Sequence, residues 1–336
     1  MNPIRLGIVG LGRFAKLHLE CYRHMPQVRI AAVCDLQAET AEAVAREWSC
    51  KGYSDWREML AAEALDAAVV LTPEFAHVEP VTAALEAGCH VFVEKPLATA
   101  SAEAARLVEL AERRGRLLIV GHVCRFDPRY IRIKDGVDRG AFGKLRSIYA
   151  RRNNGKEFFS VYRRANPVFI LGIHDLDLMH WFTGSAVEEV YAQAPPNAGG
   201  DRDLVYAMLR FADGTVGVIE NNWLLPQAAP AFMDVRMEVV GDEATAHLTE
   251  PDASLVIWDR HRSTAPPFVS GAEAYGRPIG PLFEELRHFA ACVAAGSPSP
   301  ILRPRDALAA VAAAEAVVRS IESGNPEAPH SYGVPG

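Results

Sequence analysis

The sequence predicts an α/β protein. A doubly wound parallel sheet fills its first third, and a second α/β domain follows on longer, mainly antiparallel strands. Three observations predict it. Up to about residue 123, short runs that are apolar at nearly every position, such as 4–9 and 67–71, alternate with helical stretches. Runs of that kind suit strands covered by helices on both faces, and their alternation with helices is the doubly wound pattern. Beyond that point the strand-like segments lengthen and alternate in polarity, separated by turn pairs such as Asp213-Gly214 and Gly241-Asp242, which are hairpin signals. Finally, the chain has 336 residues, more than the roughly 250–300 that one core usually serves.

In order, the N-terminal part reads as a strand at 4–9 ending on Gly10, a helix at 13–24, a strand at 28–34 and an Ala- and Glu-rich helix at 38–47. A strand at 67–71, a helix at 76–87, a strand at 90–93, a helix at 101–114 and a strand at 117–120 follow. Both later helices are followed by glycine, Gly88 and Gly115, the usual left-handed stop. One helix follows Asp127. Strands are then expected at 145–152, 187–192, 204–211, 215–223, 235–240 and 244–248, interrupted by a helix near 173–182. The segment 260–280 is rich in Pro, Gly and Ser and reads as a loop; helices at 282–295 and 305–322 close the chain.

Composition narrows the function classes. Hydrophobic residues make up 49% and charged residues 23% of the chain, an ordinary globular balance. The net charge of −7 argues against a nucleic-acid partner, which normally meets a basic surface. Arg151, Arg152, Arg163 and Arg164 form the nearest thing to a basic patch and read either as solvated surface or as an anion site. No apolar run approaches the roughly 20 residues that span a bilayer, so no membrane partner is expected. The opening residues read as a strand broken by glycines, not as a cleavable signal. Cys21, Cys34, Cys50, Cys89, Cys124 and Cys292 are scattered and form no CxxC. That spacing points to reduced thiols in a cytoplasmic protein, with no disulfide framework or zinc site. His174 and His180, six apart, do not share a helix face, and no metal is expected.

Gly10-Leu11-Gly12-Arg13-Phe14-Ala15 is a GxGxxA element that follows a strand and opens a helix, the context a dinucleotide-binding turn requires. The first glycine allows the tight turn, the second lets backbone approach a pyrophosphate, and Ala15 fills the small packing position. The phosphates would meet the helix N-terminus, with Arg13 and Phe14 in its first turn. Asp35 ends the second strand, where an acid hydrogen-bonds the adenosine ribose and repels a 2′-phosphate. Leu36 and Gln37 follow, offering no adjacent cation. NAD is therefore expected over NADP, with Arg13 the one residue that argues the other way.

Further motifs stand in order along the chain: Thr72-Pro73, then Glu94-Lys95-Pro96, then Gly121-His122 with Arg125-Phe126-x-Pro128, and finally Gly172-Ile173-His174-Asp175-Leu176-Asp177 leading through Trp181 to Gly184. With these, nearly the whole chain resembles the glucose–fructose oxidoreductase / inositol dehydrogenase / MocA (Gfo/Idh/MocA) family. The resemblance implies an N-terminal Rossmann domain and a C-terminal α/β domain with an open, mainly antiparallel sheet, often used for oligomer contacts. Boundaries are expected at 1–123 for the NAD-binding domain, 124–302 for the substrate and oligomerisation domain, and 303–330 for a C-terminal helix packing back on the body. The implied activity is hydride transfer to or from a hydroxyl or ketone carbon of a sugar, nucleotide sugar or cyclitol, in a homodimer or homotetramer.

The resemblance, with the placing of the motifs at strand ends, nominates site residues. Lys95 is the leading proton-handling group; burial would bring its pKa towards the working range. Glu94 pairs with Lys95 or meets the nicotinamide end. The element resembles one that often carries a cis proline. Thr72, Pro73 and His77 are assigned to the cofactor, although Glu74 replaces the asparagine commoner in the family, and helix packing is an equal reading of His77. His174 is the second catalytic candidate, suited as a neutral imidazole to take a hydroxyl proton. Here the sequence departs from the family: the aspartate usual four residues earlier is Ile170, which can neither orient an imidazole nor stabilise its charged form, and Asp177, one helical turn after His174, is the acid left to substitute in part. His122, Arg125, Tyr162, Asn166 and His174 are nominated for substrate, with solvated loop the plainer reading of Tyr162 and Asn166. Two other functions stay open: an enzyme that recycles a tightly held NAD, and a catalytically silent NAD-binding regulator.

Overall fold

The computed structural model describes residues 2–251, 257–258, 263–264 and 273–332. Of the segment expected as a loop at 260–280, residues 263–264 and 273–280 are described, and there Glu273–Ala274 pairs antiparallel with Arg277–Pro278; the rest lies outside the described residues. The chain divides into two compact units, Met1–Phe126 with Val269–Leu308, and Asp127–Phe268 with Ala309–Gly336. No helix among the described residues is long and apolar enough to cross a membrane.

The first unit alternates as expected. Its elements are β1 (Ile4–Val9), α1 (Arg13–Arg23), β2 (Val28–Cys34), α2 (Ala38–Trp48), β3 (Lys51–Tyr53), α3 (Trp56–Ala62), β4 (Ala67–Val70), α4 (Val78–Glu86), β5 (His90–Val93), α5 (Ser101–Arg114) and β6 (Leu118–Val120). The strands form one parallel sheet in the order β3-β2-β1-β4-β5-β6. The reversal of strand order beside β1 makes the switch point at which open sheets of this kind place ligands. Sequence periodicity explains the helices. In α1 the buried residues Ala15, His18, Leu19 and Tyr22 fall at helical spacing on one face, the stripe that packs on a sheet. The sequence pattern passes over β3 and α3 because Lys51-Gly52-Tyr53 is short and exposed, and α3 buries only Met59 among its residues. The helix expected from Ala76 begins instead with a 3₁₀ turn, Glu74–Ala76, before α4.

The second unit holds α6 (Pro128–Asp138), β7 (Leu145–Gly155), α7 (Phe159–Tyr162), α8 (Ile173–Thr183), β8 (Val187–Gln193), β9 (Leu204–Phe211), β10 (Val216–Leu225), β11 (Met233–Gly241) and β12 (Thr245–Glu250). Its sheet runs β12-β11-β7-β10-β9-β8. Every pairing is antiparallel except β10 with β7, which is parallel. Two strands far apart in sequence come together in that pair, so no local turn signal betrays its direction. Alternating burial along β8 and β9 leaves one face covered and one open. A five-residue π-helical turn, Val168–Gly172, leads into α8. Two helices complete the chain: α9 (Pro281–Ala295), which buries Leu282, Leu286 and Phe289 in the core of the first unit, and α10 (Pro304–Ser323).

One interaction in the second unit was not foreseen. Asp175, fully buried on α8, receives the Arg152 guanidinium from β7 through Nη2 at 2.8 Å and Nε at 3.1 Å. Burial pushes the Asp175 carboxyl pKa up, opposed by Arg152 and by Asn221. Arg152 therefore belongs to the core rather than to a basic patch, while Arg151 pairs with Asp234 at 2.6 Å and Arg163 with Asp201 at 2.9 Å. Removing one member of a buried pair strands the other's charge, at about 3–5 kcal/mol. Arg152→Met should lower stability to urea by that amount, and adding Asp175→Leu should recover most of it; a loss below about 1 kcal/mol would show the pair to be dispensable.

Candidate active site

The first unit presents its nominated residues along one edge of the sheet. Beyond the last residue of each strand the ladder continues by one backbone bond: Gly10 N–H to Cys34 C=O at 2.9 Å, Leu71 N–H to Val9 C=O at 2.8 Å, Glu94 N–H to Val70 C=O at 3.0 Å and Gly121 N–H to Val93 C=O at 2.8 Å. The loop after β1, Thr72-Pro73 after β4, Glu94-Lys95 after β5 and Gly121-His122 after β6 thus begin level with one another. The structure thus brings these loops to one edge of the sheet.

At the centre, Gly10 has φ +90°, and a Cβ there would lie 2.9 Å from the Leu71 carbonyl and the Thr72 nitrogen. Both the turn and the close approach require glycine. At Gly12 the opposite holds: a Cβ would meet nothing within 4 Å. The backbone there is bare and faces open space at the N-terminus of α1, where amides point out of the helix end. A dinucleotide pyrophosphate fits such a cradle. Arg13 and Phe14, in the first turn, are exposed. Asp35 accepts from the Leu11 N–H at 2.9 Å with one oxygen and from the Gln37 N–H at 3.0 Å with the other. The acid that faces the ribose in this type of site therefore also braces the glycine loop.

His77 is buried, its Nδ1 2.7 Å from the Pro96 carbonyl and its Nε2 2.9 Å from the Thr72 carbonyl. Its ring links the loop after β4 to the loop after β5. Burial lowers its pKa below the ordinary value, against the two carbonyls, which favour the protonated ring. Thr72 donates its hydroxyl to the Ala76 carbonyl at 3.1 Å, holding the turn that precedes α4, while Pro73 is exposed. The Lys95–Pro96 bond is cis, and Lys95 is half-buried. Glu94 accepts from the Lys95 backbone N–H at 3.2 Å and lies 3.2 Å from His18 Nε2. Sequence reasoning passed over His18; its place on the buried stripe of α1 was the available signal.

Arg125 is buried, donating to the Ile301 carbonyl at 2.7 Å and pairing with Asp306 at 2.9 Å. His122 is buried as well. In the second unit Asn166 accepts from the Val168 N–H at 3.0 Å, bracing the start of the π-helical turn. Tyr162 stacks on Trp223, rings 5.2 Å apart and 10° from parallel. Ile170 lies in an apolar cluster with Leu171 and Trp223, against Phe158, Phe159, Tyr162 and Ala165. His174, in the first turn of α8, is half-buried, and the carboxylate beside it, Asp175, is taken by Arg152. Burial pushes the thiols of Cys21 up to about 12 and of Cys34, Cys50 and Cys89 up to about 11, away from the thiolate form.

Two substitutions separate folding from cofactor binding. Gly12→Val should cost the fold no more than about 1 kcal/mol, from the loss of a favourable N-cap, since its side chain has room, yet weaken NADH binding at least about tenfold, about 1.4 kcal/mol. Equal affinity in a fluorescence titration would remove the loop from the site. Asp35→Asn keeps acceptor oxygen but loses charge, and should shift the preference between NADH and NADPH towards NADPH by about tenfold or more. An unchanged ratio would mean that the acid does not face the ribose.

Residues 4–122 match the family described as "Oxidoreductase family, NAD-binding Rossmann fold", and residues 130–247 match the "GFO/IDH/MocA C-terminal domain". An uncharacterized oxidoreductase, YrbE, of Bacillus subtilis is 31% identical over 254 residues, 73% of each chain. The myo-inositol 2-dehydrogenase of Thermotoga maritima is 29% identical over 71% of this chain and 73% of its own. The scyllo-inositol 2-dehydrogenase (NAD(+)) of Bacillus subtilis is 28% identical over 97% and 96%. Among solved structures, a probable dehydrogenase from Thermotoga maritima superposes with a TM-score of 0.81 at 26% identity, covering 97% and 98%. The scyllo-inositol dehydrogenase of Lactobacillus casei, solved with NAD(H) and scyllo-inositol, shares the fold with a TM-score of 0.84 at 21% identity, covering 98% and 100%. The chain belongs to the Gfo/Idh/MocA oxidoreductase family, with NAD as its cofactor.

Proposed function

We propose that this protein is an NAD-dependent dehydrogenase acting on a CH–OH carbon, or on the corresponding ketone, of an inositol-type cyclitol or a related sugar or nucleotide sugar. The observation that carries the reading is the place of Lys95, on the loop after β5, level with the glycine loop and beside the buried Glu94–His18 contact. Curated relatives named as inositol dehydrogenases favour cyclitols within that class.

Oxidising an alcohol removes a hydride from carbon and a proton from oxygen. Bound NAD supplies the hydride acceptor. The chain's task is to bind, orient and move the proton. Gly10, Gly12, Arg13, Phe14, Asp35, Thr72, Pro73, His77 and Glu94 form or brace the cofactor site. Lys95 takes the hydroxyl proton in oxidation and returns it in reduction. His174 is the second proton-handling group. Ile170 is apolar and Asp175 is engaged by Arg152, so neither supplies the carboxylate that usually stabilises an imidazolium. The reading therefore puts the larger share of the proton work on Lys95. His122, Tyr162 and Asn166 are read as lining or supporting the substrate end, and Arg125 as supporting it from the core. Exposed Tyr191, Tyr206 and Met208 on β8 and β9 support a homodimer or homotetramer in which the open sheet face is covered.

The test is NADH production or consumption across inositols, free sugars and nucleotide sugars with their keto forms. Turnover is expected on cyclitols. Lys95→Ala should lower kcat by about 10²–10⁴, and His174→Ala by less. If both act on one proton, the double variant should fall well short of the product of the two losses. Full turnover by Lys95→Ala would refute the assignment. Silence on every substrate, with NADH binding intact, would remove the simple dehydrogenase and favour a recycled NAD or a silent binder.

A further inference from the structure

His18 stands on α1, the helix whose N-terminus forms the cofactor cradle, and its side chain is fully buried. Its Nε2 lies 3.2 Å from Glu94 Oε1. Its Nδ1 is buried with no hydrogen-bond partner among the described residues. A carboxylate only accepts, so His18 Nε2 is the donor and Glu94 the acceptor. Aromatic rings hold it there: Phe14 and Phe92, each 5.5 Å away, and Tyr22 at 6.4 Å. Burying a polar ring with one nitrogen unpaired is unfavourable, and an apolar residue would fill the same stripe of α1 without that cost. The contact that distinguishes histidine from such a residue is the one to Glu94.

Glu94 is held from three directions. His18 meets Oε1, and the Lys95 backbone N–H donates to Oε2 at 3.2 Å. On the third side lies Gly121, where a Cβ would sit 3.1 Å from Oε1. The carboxylate has one place to be, and the residue that follows it in the chain is anchored by it.

We propose that His18 is a positioning residue for Lys95: it holds the Glu94 carboxylate, which fixes the backbone from which Lys95 projects, and so ties the cofactor helix to the proton-handling loop. This rests on the reading of Lys95 as the proton-handling group. One buried link then sets the spacing between the phosphate cradle and the lysine, the kind of support that holds a reacting group in geometry.

The test uses His18→Leu, which keeps the apolar packing and removes the donor, and His18→Gln, whose amide nitrogen restores a donor to Glu94. Three quantities are read on the full-length protein. The first is the pH dependence of Lys95 acylation by a small amine-reactive ester, followed by peptide mass spectrometry without cofactor. The second is NADH affinity, and the third is kcat and KM on the best substrate. In His18→Leu the Lys95 acylation profile should shift, and kcat should fall about ten- to a hundredfold, with NADH affinity retained. His18→Gln should restore both. In a Lys95→Ala background His18→Leu should cost no further kcat. An acylation profile unchanged in His18→Leu overturns the proposal. So does a glutamine variant as impaired as the leucine one, since that marks a packing role alone. If Lys95→Ala keeps full turnover, the reading of Lys95 fails on its own, while the acylation profile still decides whether His18 governs the lysine.

Discussion

The site in the first unit depends on the parallel register of its sheet. Parallel strands all end in the same direction, and here the ladder extends one hydrogen bond into each following loop at β1, β4, β5 and β6. The first residue of every functional loop is therefore placed by backbone, whatever its side chain. Gly10 turns there with φ +90° against Leu71 and Thr72, so α1 starts beside the loop after β4. Moving any one strand by a residue would turn its side chains to the other face and take its loop out of line.

Side chains then tie the loops to one another. Asp35 joins the end of β2 to the glycine loop, His77 joins the loop after β4 to the one after β5, and His18 joins α1 to the loop after β5. Each link uses a buried or half-buried polar group with a specific partner. Such links hold geometry well because a buried group that loses its partner has no water to replace it. The loops look irregular in sequence, yet each has a defined anchor.

The residues that carry these links explain what the sequence made legible. Strands β1, β2, β4, β5 and β6 and helices α1, α2, α4 and α5 announce themselves because burial on both strand faces and on one helix face leaves a strong apolar pattern. The glycine loop, Asp35 and Lys95 are legible because short motifs at strand ends carry their own physical reason. β3 and α3 bury too little to leave a pattern. The parallel pairing of β7 with β10 joins strands 60 to 70 residues apart in sequence, which no local signal encodes. His18 and Asp175 fail for a different reason: a buried polar residue looks in sequence like an exposed one until its partner is known, and Glu94 and Arg152 lie far along the chain. Arg125 shows the converse. A cation beside a motif reads as lining or supporting the site, and its partners Asp306 and the Ile301 carbonyl lie far along the chain, where no local signal points to them.

The second unit puts its acids to different use. α8 is buried on almost every side, so a carboxylate on it needs a cation nearby, and Asp175 has Arg152. Position 170 lies instead among Leu171, Trp223 and aromatic side chains, where isoleucine adds to the apolar packing. Isoleucine is what that cluster accommodates without cost. The change at 170 therefore belongs with the aromatic packing around it: Tyr162 on Trp223, and Phe158 against Phe232. Restoring a carboxylate alone would bury a charge among apolar side chains. A carboxylate at 170 would have to be accommodated by these aromatic side chains, so the change at 170 is tied to the packing of a whole cluster rather than standing as one isolated substitution.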